Sequence, residues 1–206
     1  MNIKNSGVTL VELVVSVVLM SLLVLSYFQI DNFSRLQVLG SDRKAKLQSE
    51  VSICLEQLTK DAARAIGDIN SNHAAATVSP VSGDYALRIW VDSNPDGMRI
   101  DDLSNPSHDQ EVAYRFTGAS GASSDRYQVW YYPQCVGANC DQAGSVGPEV
   151  LSRHIVSFAV SCYPALPNNN LDITISARWD PENSVSIDNP AVNMRTRLTM
   201  PAVSNR

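Results

Sequence analysis

The chain has 206 residues, with 16 basic and 21 acidic side chains and a formal net charge of −5. A mildly acidic balance gives no global electrostatic attraction to DNA, so nucleic acid is not an expected partner. After one apolar N-terminal stretch, enough chain remains for a single globular domain, and neither a second membrane-length run nor an internal repeat is visible.

Residues 1–7, Met-Asn-Ile-Lys-Asn-Ser-Gly, form a short polar segment with one positive charge, Lys4. Basic residues tend to stay on the cytoplasmic side of a membrane, which would face the rest of the chain outward. Residues 8–30 are apolar, and Glu12 is the only charged residue among them. A carboxylate in a spanning helix costs about 2.5–3.5 kcal/mol on insertion scales, and such residues usually have a function. In oil it must find a partner or keep its proton. A secretory signal would place a small-residue cleavage site after the apolar run, and Ser26-Tyr27-Phe28-Gln29 is a poor one. A plain signal anchor with Glu12 near the interface is the simplest alternative.

Helical spacing continues past the membrane-length run. Leu47, Val51, Cys54, Leu55, Leu58, Ala62 and Ala65 form one stripe, with Lys46, Glu50, Lys60, Asp61 and Arg64 largely off it. Gly67 and Asn70 are stop signals. The pattern predicts one helix from Val8 to near Ile66, about 85–90 Å long at 1.5 Å per residue. Gly40-Ser41 is the predicted place for a bend. Residues 31–67 thus read as an amphipathic continuation of the helix, and 68–206 as a globular β-sheet domain.

Residues 68–84 are small and polar and read as a loop. Alternating strands are predicted at Tyr85–Val91, Glu111–Thr117, Arg126–Tyr132, Ile155–Cys162, Leu171–Trp179 and Met194–Met200. In the fourth of these, Val156, Phe158, Val160 and Cys162 would share a face. The expected fold class is α+β: a long N-terminal helix whose distal half lies on a C-terminal antiparallel sheet.

Four cysteines, Cys54, Cys135, Cys140 and Cys162, would form bridges in an oxidising compartment. Cys135 and Cys140 flank a short flexible loop and are the preferred pair. Cys54 and Cys162 would then either join helix to sheet or remain buried free thiols. Zinc would prefer C-x2-C spacing, which is absent. Asp92, Asn94 and Asp96, followed by Gly97, match the first half of an oxygen-rich calcium loop, but Leu103 replaces the closing Glu. A turn in which Asp and Asn satisfy their own backbone explains the same residues. Calcium is therefore the single cofactor candidate in a chain otherwise expected to need none. The aromatics Trp90, Trp130, Tyr131, Tyr132, Tyr163 and Trp179 would form either a recognition surface or core and cross-strand pairs. His73, His108 and His154 lie in no catalytic spacing, and no nucleophile or phosphate-loop motif is present, so an enzyme is not expected.

The N-terminal pattern, a polar leader, Gly7, Val8, then Thr9-Leu10-Val11-Glu12 and a spanning segment, resembles the processing signal of type IV pilins and pseudopilins. Many family members have Phe where Val8 stands. The resemblance implies cleavage between Gly7 and Val8 by a prepilin peptidase, with methylation of the new Val8 amine. It also implies that Glu12 pairs with the amine of a neighbouring subunit and sets the stagger of assembly. Leu55-x-x-Leu58-x-x-Asp61-x-x-Arg64-x-Ile66-Gly67, and more loosely Asp92…Glu111-Val112-x-Tyr114-Arg115, resemble PilW-type minor pilins. The first pattern also resembles the J-type pseudopilins of type II secretion. The implied protein is a minor pilin acting in pilus assembly and initiation, held in the bacterial inner membrane with its domain in the periplasm until it enters a pilus. Its implied partners are minor and major pilins, the prepilin peptidase and the assembly platform. A type II secretion pseudopilin and a periplasmic ligand-recognition module are the alternatives.

Overall fold

The computed structural model describes residues 9–68, 75–81, 84–93, 109–119, 121–122, 124–137, 140–162, 170–200 and 202–204. One helix, α1 (Leu10–Ala63), precedes ten strands among these residues: β1 (Ile66–Asp68), β2 (Ala76–Val81), β3 (Asp84–Val91), β4 (Gln110–Thr117), β5 (Gln128–Tyr132), β6 (Glu149–Ser152), β7 (Ile155–Cys162), β8 (Asn170–Arg178), β9 (Ala191–Thr199) and β10 (Ala202–Ser204). The arrangement is α+β and pilin-like, with the helix laid on antiparallel sheet.

The single sheet predicted from the sequence is in fact three. Strands β2 to β6 form a five-stranded antiparallel sheet in chain order, β7 to β9 a three-stranded one, and β1 pairs in parallel with β10. Four of the ten strands, β1, β2, β6 and β10, were not predicted from the sequence. β2 lies inside the stretch read as loop, where Pro80 looked like a breaker; as an edge strand β2 tolerates a residue without an N–H. β6 is too short for a period to be seen.

The helix is unbroken through Gly40-Ser41, where a bend was predicted. Gly40 is buried and serves close approach instead, because a Cβ there would strike the carbonyl oxygen of Ile187. Leu47, Val51, Cys54, Leu58, Ala62 and Ala65 bury the predicted stripe against Leu87, Ile89, Tyr114, Ile173 and Ile175. Strand β8 alternates strictly, with Leu171, Ile173, Ile175 and Ala177 inward. In β7 the predicted face is corrected: a register irregularity between Ile155 and Ser157 turns both Ile155 and Phe158 to the core.

Asp61 is also corrected. It was placed off the stripe, yet it is 3% exposed at the distal end of the helix. Its carboxylate accepts the phenol of Tyr114, and Gln57 Nε2 approaches both of its oxygens at 3.4 Å. Burial raises its pKa, and hydrogen bonds from Tyr114, Gln57 and Tyr131 offset part of that rise. Nothing in a helical wheel identifies a partner 53 residues away.

Nearer the membrane end, the domain grips the helix through Trp179. His154 stacks on the indole at 5.5 Å, and its Nδ1 lies 3.3 Å from Glu50 Oε2 on the helix. The cationic groups of Arg43 and Lys46 each sit 5.4 Å from the indole centroid. Trp179 is therefore engaged by its own chain, and Tyr131 packs on Tyr114 at 5.2 Å. Both were candidates for an external aromatic surface.

Candidate functional site

Residues 9–39 present a helix with no cover from its own domain. Every large hydrophobic side chain from Leu10 to Leu39 is exposed. By length and composition this is the one helix, among the described residues, fit to cross a membrane. Its serines do not break the apolar surface: Ser16, Ser21 and Ser26 return their hydroxyls to the carbonyls of Glu12, Val17 and Leu22 at 2.6–2.8 Å.

The start of the helix is built by Thr9 and Glu12. Thr9 is the N-cap, and its hydroxyl accepts from Glu12 N at 3.3 Å. Glu12 Oε2 in return accepts from Thr9 N and from Thr9 Oγ1, both at 3.0 Å. This reciprocal capping box satisfies backbone donors that a helix start otherwise leaves open. The T-x-x-E spacing of Thr9 and Glu12 is the sequence signature of this cap. It gives Glu12 a partner within its own chain. Because Thr9 takes Oε2, the other oxygen, Oε1, remains for a donor from outside the helix. Gly7 and Val8, the predicted processing pair, lie outside the described residues.

The remaining candidates are dispersed. Cys135 and Cys140 are joined by a disulfide, with Cα atoms 4.4 Å apart. Its loop folds back on the five-stranded sheet: Cys135 N donates to Glu111 O at 2.7 Å, and Arg88 donates to both Glu111 Oε2 and Gly137 O. Gly137 takes φ +81°, a conformation that disfavours any side chain. Cys54 is buried with a free thiol, so the helix-to-sheet bridge considered for Cys54 and Cys162 is absent. Its thiol sits among apolar core residues, and burial pushes its pKa up to about 12.

Asp92 follows β3 with its backbone tied to Arg64: Asp92 N donates to Arg64 O, and Arg64 Nη2 donates to Asp92 O. Asn94 and Asp96 of the calcium-like motif lie outside the described residues. Among the described residues no three His, Cys, Asp or Glu side chains gather as metal ligands. His73 and His108 also fall outside, whereas His154 is the stacked residue of the helix grip.

Comparison with known proteins bears on one segment. A family model described as "Prokaryotic N-terminal methylation motif" matches residues 2–28. Neither the curated proteins nor the solved structures compared with the chain gave a match. The motif implies processing by a prepilin peptidase and contact with other pilins. Leading directly into a bare apolar helix and a pilin-like α+β domain, the motif over residues 2–28 supports a place among the type IV pilins and pseudopilins.

Proposed function

We propose that the chain is a minor type IV pilin of the PilW type, a structural subunit without catalytic activity that helps initiate pilus assembly. Residues 8–30 hold it in the inner membrane with the domain in the periplasm. Cleavage between Gly7 and Val8 frees an amine, which methylation leaves positively charged. That amine on one subunit meets the open Oε1 of Glu12 on the next, within a low-dielectric bundle where an unpaired charge is costly. The pair fixes axial stagger, because only one register brings the two charges together. A few such subunits, joined through their bare helices, lower the nucleation barrier for the filament.

The observation that carries this reading is Glu12: a single carboxylate, half-satisfied by Thr9, on a helix that its own domain leaves uncovered from Leu10 to Leu39. Mass spectrometry of the mature protein should find a chain beginning at methylated Val8. Glu12→Ala should abolish incorporation into pili. A retained initiator Met, or normal incorporation of the alanine variant, removes the basis for the proposal.

The pattern from Leu55 to Gly67 supports a J-type pseudopilin of type II secretion almost as well, since Leu58 and Asp61 within it serve the core in either machine. Deleting the gene separates the two. Loss of twitching supports the pilus, and loss of exoprotein secretion supports the pseudopilus.

A further inference from the structure

The connection between β8 and β9, residues 179–190, is organised around one buried polar side chain, Asn189, while Glu182, Asn183, Ser184, Ser186 and Asp188 are exposed. Asn189, 7% exposed, donates through Nδ2 to the carbonyls of Asp180, Asn183 and Ser184 at 2.9–3.2 Å, while its Oδ1 accepts from Asp180 N at 2.7 Å. Ser186 N donates to Asn189 O at 3.1 Å, and Arg178 Nη1 donates to Asn183 O at 2.8 Å. With the loop interior taken by this network, the apolar side chains face out. Val185 and Ile187 are 58% and 56% exposed, the only large hydrophobics outside α1 that are more than half exposed among the described residues.

The loop is also fixed in place against the helix. Ile187 lies on Gly40, Arg43 donates to the Asp188 carbonyl, and Val185 and Ile187 line one hollow with Gln37, Gly40 and Lys44. Gln37 is only about 10 Å along the axis from Ile30 at 1.5 Å per residue. A headgroup layer accounts for about 5–8 Å on each side of a bilayer, and helices tilt by about 20° on average. Between the two the helix surface is mixed: Asp31 and Arg35 pair at 3.0 Å, Asn32, Ser34 and Gln37 are polar, and Phe33, Leu36 and Leu39 are exposed apolar side chains. Ile187 itself lies at Gly40, about 15 Å from Ile30, so the apolar tips flank the helix just beyond the headgroup layer, and helix tilt brings them within its reach.

We propose that the β8–β9 loop, through Val185 and Ile187, rests on the outer headgroup layer of the bilayer that α1 crosses. The loop is a second membrane contact that holds the domain at a fixed tilt before assembly. This rests on the membrane-anchored reading above. A preordered loop loses little entropy on docking, and two aliphatic tips add a shallow, reversible contact. Extraction of the subunit into a filament would have to peel this contact from the lipid.

The test uses the full chain in vesicles of phosphatidylethanolamine and phosphatidylglycerol carrying headgroup nitroxide lipids. A fluorophore is placed at Ile187→Cys, at Lys60→Cys about 30 Å further along α1, and at Leu19→Cys within the span, the last read with acyl-chain nitroxides. Each labelled chain carries Cys162→Ser, and Cys54 is buried and escapes labelling. Quenching at position 187 at least threefold above that at position 60 is expected, and Val185→Ser should reduce it. Equal, weak quenching at 187 and 60, with position 19 quenched, overturns the loop contact while leaving the anchor intact. A label at 19 that is not quenched overturns the anchor and the loop contact together. A label at 187 that becomes shielded only in assembled filaments assigns the loop to a neighbouring subunit and overturns the proposal.

Discussion

The Tyr114 hydroxyl donates to the buried carboxylate of Asp61, tying the middle of β4 to the last turns of α1 across 53 residues of sequence. This bond fixes where the helix ends on the sheet, at the point where the apolar stripe of Leu58 and Ala62 is nearly spent. Tyr114→Phe keeps the ring packing and removes the donor. A buried acceptor that loses a partner costs about 1–3 kcal/mol, and chemical unfolding of the full chain in detergent at neutral pH should read a loss in that range.

The same site gives a pH dependence with a definite sign. The ordinary Asp pKa of 3.8 is raised in the folded chain by burial. Between that value and the raised one, the folded state holds a proton that the unfolded state has released. The contribution of Asp61 is therefore complete below the ordinary Asp range and declines as pH rises through its folded value. Asp61→Asn should flatten this part of the stability profile, measured as denaturation midpoint against pH.

The capping role of Glu12 and the assembly role proposed for it can be separated by substitution. Glu12→Gln keeps an oxygen for Thr9 N but has no charge for a neighbour's amine. Thr9→Ala removes the cap, worth about 1 kcal/mol, and leaves the charge. Pilus incorporation, scored by immunoblot of sheared filaments, should fail for Glu12→Gln and persist at reduced level for Thr9→Ala. The opposite ranking would make Glu12 a helix cap alone.

Gly40→Ala tests the close approach of Ile187. In an exposed helix this change stabilises by about 1 kcal/mol. Here the added methyl meets a backbone carbonyl, so the sign should reverse, with a lower melting temperature and faster proteolysis within residues 180–190. A stabilised variant would mean that the loop does not sit on the helix.

The two kinds of cysteine should behave differently. Replacing both Cys135 and Cys140 by Ser should cost about 2 kcal/mol, the chain-entropy value for so short a loop. Cys54, with its thiol pushed up to about 12, should resist alkylation at pH 8 until the chain unfolds, followed by peptide mapping.

Much of this protein was legible along the chain because the signals are local. The uncovered helix announces itself as an unbroken apolar run interrupted by one acid, and the buried stripe of its distal half follows from a period of 3.6. Strand β8 shows strict alternation for the same reason. Only the tertiary structure could decide the rest. Asp61 looked like a solvent-facing acid, and its role depends on a tyrosine in another element. Gly40 looked like a hinge, and its bareness is used by a carbonyl from residue 187. Asn189 gives no signal along the chain, yet it organises the connection that reaches the helix. Periodicity records which side of an element is oily; it carries no record of which distant polar group arrives there. Sequence therefore determined the helix, its bare half and the N-terminal methylation motif, while long-range packing decided the three sheets, the buried polar contacts and where the domain grips its helix.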